Sequence, residues 1–154
     1  MTTTVPERLR ARGLRVTAPR TAVLQLLDEA ARDHEHLTTA QVAARVRDRL
    51  GTVSLQAVYD VLEVLVAAGL ARRIEPAGQP ALFEGRVGDN HHHLVCRSCG
   101  RMLDVDCAVG SAPCLVPSTT AGFVVDEAEV VFWGHCPECQ TTDRTEEKRE
   151  DRNL

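Results

Sequence analysis

Two pairs, Cys96-x-x-Cys99 and Cys136-x-x-Cys139, constrain this chain more than any other feature. Each pair can chelate through one tight knuckle. Together they complete a tetrahedral four-sulfur shell of the kind Zn²⁺ prefers in closed structural sites. Positions 100–135 separate the pairs, so the metal must pin the first strand of a small domain to that domain's C-terminal end. A redox dithiol needs only one such pair. A zinc deaminase needs H-x-E ahead of P-C-x-x-C, whereas here Pro137 follows Cys136 and no H-x-E occurs. The chain is accordingly read as no enzyme. Its start, "MTTTVPERLRARG", lacks the apolar block of a signal peptide, and no apolar run is long enough to span a bilayer. A cytoplasmic protein without a membrane partner is predicted, in a compartment where thiols stay reduced and free to bind metal.

The net charge of −4 is unevenly spread. Residues 1–86 carry twelve Arg against ten acids (+2), and residues 87–154 carry six Lys/Arg against twelve acids (−6). A polyanion would meet the N-terminal half, although arginines that only solvate a surface give the same count.

Periodicity places the N-terminal elements. "TAPRTAVLQLLDEAARD" sets Val23, Leu26, Leu27, Ala30 and Ala31 on one face and predicts a helix over 18–31, with Thr17 as N-cap and Pro19 in the first turn. "HLTTAQVAARVRDRLG" repeats Val42, Val46 and Leu50 and stops at Gly51. "SLQAVYDVLEVLVAAG" starts at the cap residue Ser54, turns Val58, Leu62 and Leu65 inward, and ends at Gly69. In "LARRIEPAGQPALFE" two short apolar runs flank a Pro/Gly turn, which predicts a hairpin. Helix, helix, helix, hairpin is the order of a winged helix-turn-helix, whose third helix enters the major groove, although small three-helix units also serve as plain interaction modules. Ser54, Gln56 and Tyr59 on the first turns of that helix can reach phosphates or base edges. Alternatively, Ser54 only caps and Tyr59 is only a half-buried aromatic.

Beyond "GRVGDN" the texture changes. "RMLDVD" alternates, and "GFVVDEAEVVFWGHC" holds two β-rich runs split by an acidic turn, so this half reads as a small sheet. Pro113 and Pro117 leave room for at most a short helix between them. The segment 141–154, "TTDRTEEKREDRNL" with the preceding Gln140 excluded, has almost nothing to bury and is predicted to be a disordered polar tail. On an extended segment His91 and His93 point the same way, a spacing suited to one metal, and His92 points oppositely. They could equally be surface imidazoles, and Glu84, Asp104 and His36 are the acidic and imidazole groups that would complete a site. Cys107 and Cys114 match neither a knuckle nor a redox motif and read as buried or incidental thiols.

The combination "GLRVTAPR", "SLQAVYDVLEVLVAAGL", "NHHHLVCRSCG" and "GHCPEC" resembles the ferric uptake regulator (Fur) family of bacterial metal- and peroxide-responsive repressors, over roughly residues 7–140. "VGDNHHH" and "DCAVGSAPC" resemble its actinobacterial branch, often encoded beside catalase-peroxidase. The resemblance implies an α+β chain with a winged-helix DNA-binding domain (1–84), a hinge (85–90) and a small α/β metal-binding dimerisation domain (91–140). It implies structural zinc on Cys96, Cys99, Cys136 and Cys139, and a regulatory metal on His36, Glu84, His91, His93 and Asp104. Arg15 corresponds to the family's minor-groove residue and Tyr59 to its recognition-helix tyrosine. Arg20, Ser54 and Gln56 are grouped with them as DNA contacts. One ion held by ligands of both domains would fix their relative orientation, a population shift toward the state that binds a palindromic, AT-rich duplex as a homodimer. Mixed N/O ligands suit Fe²⁺ or Mn²⁺ and leave a zinc- or nickel-specific sensor as the alternative. The chain departs from the family pattern in two places. Asn90 and Ala128 replace two histidines of an additional metal site, and Glu84 stands where peroxide-sensing relatives usually have Asp.

Overall fold

The computed structural model describes residues 2–87, 91–107 and 113–140, which fall into two compact units, 1–89 and 90–154. The tail expected over 141–154 and residues 88–90 of the expected hinge lie outside the described residues.

The first unit begins with a helix that the periodicity did not reveal, α1 (Val5–Ala11). Its signal was local. Thr4 and Glu7 form a capping box, with the Thr4 amide donating to Glu7 at 2.7 Å, and Pro6 occupies the first turn. Helix α2 (Ala18–Arg32) starts at Thr17, whose hydroxyl accepts from the Arg20 amide at 3.3 Å. Strand β1 (Leu37–Thr38), also unexpected, runs into α3 (Thr39–Leu50), where Thr38 and Gln41 make a second capping box. Helix α4 (Leu55–Ala67) is capped by Ser54. Strands β2 (Arg72–Ile74) and β3 (Leu82–Glu84) pair antiparallel as the expected hairpin, and β1 adds to the other edge of β3, giving the order β1-β3-β2. The expected third helix is thus α4 of a winged helix-turn-helix.

Aliphatic side chains from all four helices and Phe83 of β3 make one core, with Leu9, Leu24, Leu27, Val46, Leu62 and Leu65 fully buried. Leu50 departs from its expected inward role. It ends α3 just before Gly51 turns the chain at φ 80°, past the edge of the core, and is 39% exposed. At the other end of the unit, Gly85 follows β3 so close to α2 that a Cβ would stand 2.8 Å from the Leu27 carbonyl oxygen. Only glycine lets Glu84 sit against that helix.

The second unit is a sheet of order β5-β4-β6, built from β4 (His91–Cys96), β5 (Met102–Asp106) and β6 (Val131–Gly134). Strand β5 pairs with β4 antiparallel and β6 pairs with it parallel. Of the two β-rich runs expected after Gly122, only the second is a strand. A strand exists by pairing. Both edges of β4 are taken, the run from Phe123 pairs with neither outer strand, and Phe123 and Val124 are 76% and 96% exposed. Register sets Leu94 opposite both Leu103 and Phe132, an apolar row across all three strands that is 42–48% exposed. Among the described residues no single helix is long and apolar enough to cross a membrane.

Candidate metal centres and DNA-binding face

The fold gathers the four paired cysteines. Cys96 ends β4, Cys99 follows in the turn before β5, and Cys136 and Cys139 lie just past β6, the last on a helical turn over 137–140. Because β6 runs parallel to β4, both pairs arrive at the same end of the sheet. Their four sulfurs lie within 4.8 Å of one another, with Cys99 Sγ and Cys136 Sγ 3.7 Å apart. The Cys136 amide donates to Cys96 Sγ at 3.3 Å. That bond, with those from the Cys99 and Ser98 amides, draws the Cys96 thiol down to about 5 despite its burial. The neighbouring Cys136 sulfur and burial push Cys139 up to about 12. One sulfur is ready to ionise while another is held protonated, because thiolates this close repel one another unless a cation lies among them. The donor set and spacing therefore fit a structural Zn²⁺.

The expected regulatory ligands form one group in each unit. In the first, His36 Nε2 lies 3.0 Å from Glu84 Oε2, with both side chains at most 3% exposed. Strand β3 presents Glu84, and His36 immediately precedes the partner strand β1. In the second, register places His93 opposite Asp104, whose Oδ1 is 3.4 Å from His93 Nε2 and 3.9 Å from His91 Nε2. The two imidazoles meet edge to face with centroids 5.0 Å apart, both side chains fully buried. Burying imidazole and carboxylate together is costly without strong mutual partners, which gives each group the character of a built site. His92 points to the opposite face, as the alternation requires.

On the winged-helix unit, Val58, Leu62 and Leu65 turn α4 inward and leave Ser54, Gln56, Tyr59 and Asp60 exposed. Ser54 combines its cap with this exposure, and Gln56 Nε2 donates to Asp60 at 2.8 Å. Arg15 is exposed in the loop before α2, and the Arg20 guanidinium donates to the Arg15 carbonyl at 3.0 Å. Arg20 thus steadies the Arg15 loop, a role that its residue type alone did not suggest. Arg73 of the wing, also missed, pairs with Glu63 of α4 at 2.9 Å and ties β2 to the recognition helix.

Comparison with known proteins finds relatives of the same fold. The model of the ferric uptake regulator family matches residues 11–111. The transcriptional regulator FurA of Mycobacterium tuberculosis is 58% identical over 137 residues, covering 89% of this chain and 90% of that protein. The ferric uptake regulation protein of Legionella pneumophila is 34% identical, covering 87% and 97%. Among solved structures, the ferric uptake regulator of Pseudomonas aeruginosa with manganese is 28% identical with a TM-score of 0.68, covering 86% of this chain and 98% of that one. The chain belongs to the ferric uptake regulator family.

Proposed function

We propose that this chain is a homodimeric, metal-dependent DNA-binding repressor that acts in the cytoplasm, senses Fe²⁺ or Mn²⁺ together with peroxide stress, and controls iron or oxidative-defence genes such as catalase-peroxidase. One observation carries the reading. Two buried N/O ligand groups, His36 with Glu84 and His91 with His93 and Asp104, flank residues 85–90 in the chain. Neither group alone supplies the donors that Fe²⁺ or Mn²⁺ takes, whereas the five together do. We read them as the ligands of one regulatory ion, so that metal affinity biases the two units toward the DNA-binding state. The four-cysteine zinc keeps the second unit folded and takes no part in sensing. The domain limits 1–84, 85–90 and 91–140 belong to the same reading.

The homodimer draws support from the exposed row Leu94, Leu103 and Phe132, since contiguous apolar surface of this kind marks association sites. A palindromic, AT-rich operator then presents one half-site to each α4. Arg15, Arg20, Ser54, Gln56 and Tyr59 are the proposed contacts. Replacing Arg15 by Ala or Tyr59 by Phe should weaken operator binding by roughly 5- to 150-fold, the effect of about 1–3 kcal/mol, and leave metal content unchanged. Fluorescence anisotropy with parallel metal analysis checks this, and full-strength binding by Arg15→Ala would remove Arg15 from the interface.

Fe²⁺ held by these residues would supply a one-electron reductant for peroxide. His36 and His91, as nearby ligands, are the expected targets of oxidation. Brief peroxide exposure should add oxygen to His36 or His91 in Fe²⁺-loaded but not Mn²⁺-loaded protein, in step with loss of DNA binding, as read by peptide mass spectrometry. Intact histidines would leave a plain metal sensor, and activation by Zn²⁺ or Ni²⁺ alone would favour the zinc- or nickel-specific alternative.

A further inference from the structure

The side chain that alternation sends away from the regulatory group has its own partners. His92 is 5% exposed, and its Nε2 lies 3.1 Å from Cys114 Sγ. Cys107, the residue after β5, completes a cluster in which one donor atom from each of the three residues lies within 4.8 Å of the others. None of the three belongs to the four-cysteine site or to the regulatory ligands. We propose that His92, Cys107 and Cys114 form a third metal site, and that its ion is Zn²⁺.

Donor chemistry selects the ion. Two sulfurs and one imidazole favour zinc or copper(I) over Fe²⁺ and Mn²⁺, which prefer oxygen-rich sets. Charge then separates the two. The thiolates contribute −2, so Zn²⁺ makes the site neutral whereas copper(I) leaves a net negative charge among half-buried side chains, which desolvation disfavours. As in the four-cysteine cluster, the donor atoms all lie within 4.8 Å of one another. Three protein donors leave one tetrahedral position for water or an external ligand, so this site is more open than the four-sulfur one.

The protons can be followed. His92 Nδ1 accepts from the Val130 amide at 3.3 Å, so the neutral ring carries its proton on Nε2 and donates it toward Cys114. Holding Zn²⁺ through Nε2 would require that proton to sit on Nδ1, ending the contact in which Nδ1 accepts from the Val130 amide, and Cys107 and Cys114 would each release one proton. A reactive dithiol is the rival use of the same cysteines. A dithiol needs no third donor, whereas here His92 Nε2 stands 3.1 Å from Cys114 Sγ within the same cluster.

The test counts zinc in reduced full-length protein supplied with excess Zn²⁺ and then freed of loose metal. It is run in the His91→Ala background, where the regulatory ligands are incomplete. Cys107→Ser/Cys114→Ser should lower the content by one zinc per chain and leave the other in place, which also reports that the second unit still folds. In protein without these substitutions, zinc should protect Cys107 and Cys114 from alkylation, and a chelator too weak to strip the four-cysteine site should remove that protection. The second measurement needs no cysteine variant and stands if the variant fails to fold. Unchanged zinc content, alkylation indifferent to zinc, or a Cys107–Cys114 disulfide that forms in zinc-replete protein would overturn the proposal. Because no regulatory ligand is involved, failure here leaves the sensor reading intact.

Discussion

Cys136→Ser is expected to lose its tightly held zinc and, with it, the folded state of the second unit. Structural zinc sites bind with about 10–16 kcal/mol, and that energy is folding energy. A whole domain is commonly stable by only about 5–15 kcal/mol. The second unit has little else to replace the loss, since it is a three-stranded sheet whose apolar row Leu94, Leu103 and Phe132 is about half exposed. The Cys136 amide that donates to Cys96 Sγ belongs to the backbone and is retained in Cys136→Ser, so the substitution removes one ligand sulfur and leaves that contact in place. The main apolar core, from Leu9 to Phe83, lies wholly in the first unit. Calorimetry should therefore show the winged-helix transition persisting while the other transition and the dimer disappear. A stable, dimeric, zinc-free Cys136→Ser or Cys96→Ser protein would remove the site from its structural role.

The second large effect is expected from His91→Ala. His91 shares Asp104 with His93 in a fully buried group, so its loss opens a cavity among ligands and removes one of the five proposed donors. Couplings between ligand sites commonly amount to about 1–3 kcal/mol, or 5- to 150-fold. His91→Ala should lose that entire metal-dependent gain in DNA affinity, while its four-cysteine zinc and metal-free affinity stay as they were. Anisotropy titrations with and without Mn²⁺, together with zinc analysis of the same samples, separate these quantities. Retention of the full Mn²⁺ response would exclude His91 from the regulatory site.

Long-period signals were the legible part of the fold. Val58, Leu62 and Leu65 recur at helical spacing and are buried in α4, and the Pro/Gly turn after Ile74 joins two paired strands. The short elements were not legible, because α1 rests on one capping box and β1 on pairing with a strand far along the chain. Pairing also decided the fate of the run at Phe123, which has strand-forming residues and, among the described residues, no partner strand. The cysteine knuckles could be read from spacing because each pair is local. The partners of Asp104 could not, since they follow from the register of β4 against β5, and the cluster of His92 with Cys107 and Cys114 depends on which face each residue occupies. Alternation indicated the opposite orientation of His92 but not what awaited it there.

Whether metal controls DNA binding is decided most directly by titrating the wild-type protein, with its four-cysteine zinc in place, against its operator in the presence and absence of Mn²⁺. Mn²⁺ serves as an air-stable substitute for Fe²⁺, and the operator is identified beforehand by sequencing DNA crosslinked to the protein. The account predicts that Mn²⁺ tightens binding by at least about 5-fold, the lower end of common site-to-site couplings. Equal affinity with and without the ion would contradict it.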